Sequence, residues 1–158
     1  MLMLQHMHAI KGLDPVADAF DNATTPASDV VNMKNWQNVV FTVYYGVGAT
    51  GTQTWTVEAC DDVVPTNTSA IPFHYRQTLS GDTSGALTAA TATGFTVTAG
   101  SSKIVEIEVE AQALAALGYG FVRLKQSAEP VNSPCLGGIL IQLCNPRYAK
   151  EPSDTAIV

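Results

Sequence analysis

The chain has 158 residues, with 8 Lys and Arg against 14 Asp and Glu and a formal net charge of -6. That length suits one domain, which buries roughly two-thirds of its unfolded surface without help from metal or disulfide. An acidic balance without a Lys/Arg cluster is the wrong footprint for gripping phosphates, so no direct nucleic-acid binding is expected. Only 14% of residues are charged, against about 25% in an average domain, so Thr, Ser, Asn and Gln must do much of the work of keeping the surface wet.

Residues 1–28 show no sustained strand period and are expected to form an N-terminal arm. Within it, Asp14 before Pro15 looks like a helix start, with Val16, Ala19 and Phe20 on one face of a turn and a half. The opening MLMLQHMHAIKGLDP lacks a basic leader and makes a poor signal peptide. No stretch reaches the ~20 apolar residues of a membrane helix. Residues 29–33 are a short edge strand. In residues 38–63, Val39, Phe41, Val43 and Tyr45 share one parity, as do Trp55, Val57 and Ala59. Joined by a glycine-rich turn, these two segments are expected to pair as an antiparallel hairpin.

Further along, Phe73 and Tyr75 alternate with His74, Arg76 and Thr78, and residues 87–99 carry a thin signal compatible with two short strands. Val105, Ile107 and Val109 alternate with Glu106, Glu108 and Glu110. Leu114 and Leu117 then take helical spacing before Gly118. Val122 and Leu124 alternate with Arg123 and Lys125, two cations that could lie across from the 106–110 carboxylates. Residues 136–144 give the last strand. The organisation predicted is all-β, an antiparallel sandwich of jelly-roll or immunoglobulin-like type spanning 29–144, with extended arms at 1–28 and 145–158. No crossover helix is long enough for a parallel α/β sheet.

Candidate chemical motifs are weak. Gly46, Gly48 and Gly51 spell G-x-G-x-x-G after a strand, yet strand rather than helix follows, so turn glycines explain them and no nucleotide cofactor is expected. His6 and His8 form a His-x-His pair inside a Met-rich arm, away from the core strand a metal jelly roll would use, and Glu58, Asp61 and Asp62 lack calcium-loop spacing, so no metal is expected. Cys60, Cys135 and Cys144 match neither a zinc knuckle nor a redox pair. They are expected to be buried free thiols in a chain made in a reducing cytoplasm. Asn22 and Asn67 fit glycosylation sequons that mean nothing without a secretory signal. No nucleophile elbow is present, and no catalytic activity is expected.

The opening LQHMHAIKGLDPVADAF, the segment VVNMKNWQNVVFTVYYGVGATGTQTWTVEACDDVVPTNTSAIPFHYR, the pair SGDTSGALT and TGFTVTAGSS, and ALAALGYGFVRLK leading to PCLGGILIQL together resemble the small β-sandwich virion proteins of tailed bacteriophages that decorate or cement the capsid. The resemblance implies a non-enzymatic homo-oligomer, dimer or trimer, synthesised in the bacterial host cytoplasm and seated on the major capsid protein lattice. Met1, Met3, Met7, Val16, Phe20, Tyr148 and Ile157 are then the candidate interface anchors on the arms, and deleting residues 1–20 is expected to leave the sandwich folded. A tail-tube, neck or head-completion protein is the alternative within the virion. A carbohydrate-binding sandwich is the alternative outside it, and would need Trp36, Trp55, Tyr44 or Tyr45 as an exposed platform.

Overall fold

The computed structural model describes residues 3–20, 26–47, 52–79, 81, 83–128 and 136–148. Among these residues, eleven strands build two antiparallel sheets. They are β1 (Met7–Val16), β2 (Val31–Asn32), β3 (Trp36–Tyr45), β4 (Thr54–Cys60), β5 (Thr68–Ile71), β6 (Phe73–Thr78), β7 (Thr88–Ala90), β8 (Phe95–Thr96), β9 (Ile104–Glu110), β10 (Phe121–Ala128) and β11 (Gly137–Pro146). One five-residue helix, α1 (Ala111–Ala115), follows β9 and stops before Gly118, whose φ of +79° a side chain would resist.

The larger sheet runs β1-β11-β3-β9-β6-β7 and the smaller β2-β10-β4-β5, with β8 also on β4. The first strand lies beside the last, and most connections pass from one layer to the other, the exceptions being β4 to β5 and β6 to β7. That order is a jelly roll; an immunoglobulin-like sandwich would keep its first two strands in one sheet. Inward residues of both layers form one core, including Val39, Phe41 and Val43 from β3, Val105 and Ile107 from β9, Val57 and Ala59 from β4, and Val122 and Leu124 from β10.

Two sequence expectations are corrected here. The alternation in β3 and β4 is real, yet the two strands do not form a hairpin: β3 pairs with β11 and β9, and β4 with β10 and β5. The link between Tyr45 and Thr54 is long enough to cross the ~10 Å between packed sheets. The two apolar faces therefore meet across the core instead of side by side. The Nε1–H of Trp55 donates to the hydroxyl of Tyr45 over 2.8 Å, satisfying both polar groups in a buried site.

The second correction concerns residues 1–28. Met7–Val16 is a ten-residue strand paired with β11, with its register shifting between Lys11 and Leu13 and again between Leu13 and Val16. Asp14 and Pro15 therefore close an edge strand, where a missing N–H is tolerated, and do not open a helix. Residues 26–29 then cross to the other layer, with Asp29 N–H donating to the Gly12 carbonyl (2.8 Å) and Ser28 N–H to the Leu124 carbonyl (2.8 Å). Phe20 is fully buried against Tyr45 (ring centroids 5.0 Å) and edge-on to Trp55 (5.4 Å). It belongs to the core and is unavailable as an interface anchor.

Beside this aromatic cluster lies Lys103, wholly buried, its ammonium 4.5 Å from the Tyr45 ring centroid and donating to the Thr98 carbonyl. A buried cation held by a ring face and a carbonyl avoids the full cost of desolvation. The side chain of Gln126 is buried in the smaller sheet with neither amide atom hydrogen-bonded. The tight approach of residue 94 to β4 requires glycine: its φ is +85°, and a Cβ there would collide with the Trp55 carbonyl.

Because β1 and Phe20 are integral, Phe20→Ala is predicted to lower stability by about 3–5 kcal/mol in urea denaturation. Deletion of residues 1–20 is predicted to abolish the cooperative transition, where an independent arm would leave it intact.

Candidate interaction surface

The seven anchors expected from sequence fall in different places. Met1 and Ile157 lie outside the described residues. Phe20 is core, and Val16, about half exposed, sits at the Gly137 end of β1. Met3, Met7 and Tyr148 gather at the opposite end. There Met7 pairs with Cys144 and Asn145 N–H donates to the His6 carbonyl (3.2 Å). Beyond them Arg147 N–H donates to the Asn35 carbonyl (2.8 Å) and its Nε–H to the Trp36 carbonyl (3.2 Å). The first and last described segments thus lie at the same end of the larger sheet, a consequence of first and last strands being neighbours. Met3 is 74% exposed, Leu4 86% and Tyr148 69%, so this corner presents three large apolar side chains to solvent.

The outward faces of the two sheets differ. On the smaller sheet Glu58 is held by Arg123 (Nη2 to Oε2, 2.7 Å) and Lys125 (Nζ to Oε1, 3.1 Å), all three partly buried. The expected match of these cations to the 106–110 ladder is therefore corrected: β9 and β10 lie in different sheets, and Arg123 sits opposite Glu58 in the register. On the larger sheet Glu106 pairs with Arg76 and Glu108 accepts from Asn38 Nδ2 (3.2 Å).

The remaining motifs are occupied by local structure. Asp61 accepts from the backbone and side chains of Thr66 and Asn67, which hold its carboxyl well below the usual carboxylate range and tie the loop between β4 and β5. With Glu58 in ion pairs, the Glu58–Asp61–Asp62 group has other duties, and no metal-ligating cluster occurs among the described residues. His8 stacks on Trp36 (6.3 Å) as part of β1. Trp36, Tyr45 and Trp55 are buried, leaving Tyr44 as the exposed member of the expected sugar platform. Gly46 precedes the β3–β4 connection, while Gly48, Gly51, Asn22 and Cys135 lie outside the described residues. No described helix is long and apolar enough to cross a membrane.

Sequence reading missed Leu4, and also Leu140 on the outward face of the larger sheet, and it weighed the exposed Tyr44 only as part of a sugar platform. Leu140 hides inside the apolar run ILI, where only strand parity separates outward from inward residues. No protein family, curated protein or solved structure matches the chain.

Cys60 is buried, its thiol directed at the Glu58 carbonyl (3.5 Å), and burial pushes its pKa up from 9.0 to about 11. Below pH 9 the thiol is neutral in folded and unfolded chains alike and its contribution to stability is complete. Between pH 9 and 11 only the unfolded chain ionises, so that contribution is lost as pH rises. Alkylation of native protein at pH 8, read by peptide mass spectrometry, is predicted to be at least about 100-fold slower at Cys60 than at a free thiol, and to become rapid in denaturant.

Proposed function

We propose that this chain is a non-enzymatic structural protein of a tailed-phage virion, a homo-oligomer that decorates the outer surface of the capsid and stabilises the shell lattice. The observation that carries the proposal is that the first and last described segments come to one end of the larger sheet with Met3, Leu4 and Tyr148 exposed there. A rigid sandwich offering apolar side chains from the segments flanking its first and last strands can add contact area on a neighbouring subunit without unfolding its own body. The low charge supports the same reading, since a surface built on Thr, Ser and Asn loses less on desolvation than one built on Lys and Glu. The anchoring element is thus a corner of the folded body; the long N-terminal arm expected from sequence is replaced by β1.

Quantitative mass spectrometry of purified particles tests this. The chain should be present at a fixed ratio to the major shell protein, and its absence from particles of a host lysate that contains it would refute the proposal. A Leu4→Asp, Tyr148→Ser double variant is predicted to bind stripped particles at least tenfold more weakly with an unchanged unfolding midpoint.

A further inference from the structure

The outward face of the larger sheet has a pattern of its own. The register aligns Lys11, Leu140, Thr42, Glu106 and Arg76 in one row across β1, β11, β3, β9 and β6. The next outward row toward the Gly137 end runs Gly138, Tyr44, Ile104 and Thr78, with the bulged Leu13–Pro15 stretch of β1 beside Gly138. Glycine at 138 allows a close approach there, since a Cβ would stand 3.0 Å from the Leu13 carbonyl and 3.1 Å from Pro15 Cα. The result is a groove of about 350 Å³ with Gly138 in its floor, Leu13 and Pro15 along one side and Tyr44 and Leu140 along the other. Tyr44 is 56% exposed and Leu140 42%, high values for large apolar residues in central strands.

We propose that this face is the contact between two copies of the chain, related by a two-fold axis that runs parallel to the strands between β11 and β3. The inference rests on the homo-oligomer in the function proposed above and specifies its surface. In such a face-to-face pairing each row lies on the same row of the second copy read in reverse. Lys11 then falls over Glu106 of the second copy, Leu140 over Thr42, and Tyr44 over the groove floored by Gly138. The Pro15 bulge falls over Ile104. In the single chain Lys11 is 82% exposed and 3.4 Å from Asp14, itself 68% exposed, and a solvent-exposed pair of this kind is weak enough for the ammonium to exchange toward a new carboxylate. Glu108 falls on Ala9 and Glu110 on Met7, so the β9 carboxylates meet a cation and apolar side chains instead of each other. An axis over β9 would set Glu106, Glu108 and Glu110 on their own copies, a like-charge arrangement that costs several kcal/mol.

Area agrees as well. Four strands about 4.8 Å apart and about 30 Å long present roughly 600 Å² in projection, close to the about 800 Å² per partner of a standard interface. The roughly 30° angle between aligned packed sheets shifts Lys11 relative to its partner by about one residue, within the span of a lysine side chain.

Sedimentation velocity of the full chain at micromolar concentration, comparing wild type with Lys11→Glu, Glu106→Lys and the double exchange, tests the proposal. Wild type should sediment as a dimer, each single variant should raise the dissociation constant at least tenfold, and the double exchange should restore it to within about threefold of wild type. Tyr44→Asp should give a monomer with an unchanged unfolding midpoint. A monomeric wild type, an oligomer indifferent to Tyr44→Asp, or two weakened single variants without recovery in the double would each overturn it. Particle content separates this outcome from the broader one: a solution monomer still found at fixed copy number in virions defeats the two-fold face alone, whereas an exchange-sensitive dimer absent from virions defeats the virion assignment alone.

Discussion

The contact of Phe20 with Tyr45 and Trp55 is the constraint on which the architecture turns. Each sheet has one apolar face and is stable only when that face is covered, so the layers must be held in one relative position. Tyr45 contributes from the larger sheet, Trp55 from the smaller, and their hydrogen bond fixes the offset between the layers. Phe20 arrives from the connection after β1 and packs against both rings. Lys103 caps the group from the start of β9. Four distant parts of the chain are thereby drawn to one end of the sandwich, and β1 is fixed beside β11 as a consequence.

From that placement follow the features on which function is argued. With the first strand beside the last, Met3, Leu4 and Tyr148 come to the same end of the larger sheet. An edge strand is ordinarily open to uncontrolled pairing, and β1 carries the devices that discourage it: Lys11, two register shifts and Pro15. Association through the sheet face is left open by those same devices. The Leu13–Pro15 bulge that spoils the edge also raises one wall of the groove over Gly138, so a single irregularity in β1 disfavours edge-to-edge growth and shapes the face where Tyr44 and Leu140 stand exposed.

Much of the strand inventory was legible because period-two alternation reports burial on one side of a sheet, and β3, β4, β6, β9, β10 and β11 all carry it. The short helix and its glycine stop were legible for equally local reasons. What alternation does not encode is which sheet a strand joins: Val39 to Tyr45 and Trp55 to Ala59 read the same in a hairpin and across a core. β1 escaped notice because Lys11, Gly12 and Pro15 interrupt its pattern, and because Asp14-Pro15 is as good a helix cap as it is the end of an edge strand. Arg123 and Lys125 were recognised as outward cations, yet their partner Glu58 depended on strand order. The exposed Leu140 was concealed for the converse reason, since an apolar residue on the outer parity of a strand looks like core until the sheet faces are known, whereas Tyr44 stood out only as one of four candidate sugar-platform aromatics.

The account stands or falls on β1 being an integral strand of the larger sheet. Amide hydrogen exchange across residues 7–16 of the intact chain tests that most directly. Backbone amides of His8 and Ile10, whose neighbours on β11 are Leu143 and Ile141, should exchange with protection comparable to β3 and β9 and be released only on global unfolding. Exchange of these amides at the rate of an unstructured peptide, with β3 and β9 still protected, would contradict it.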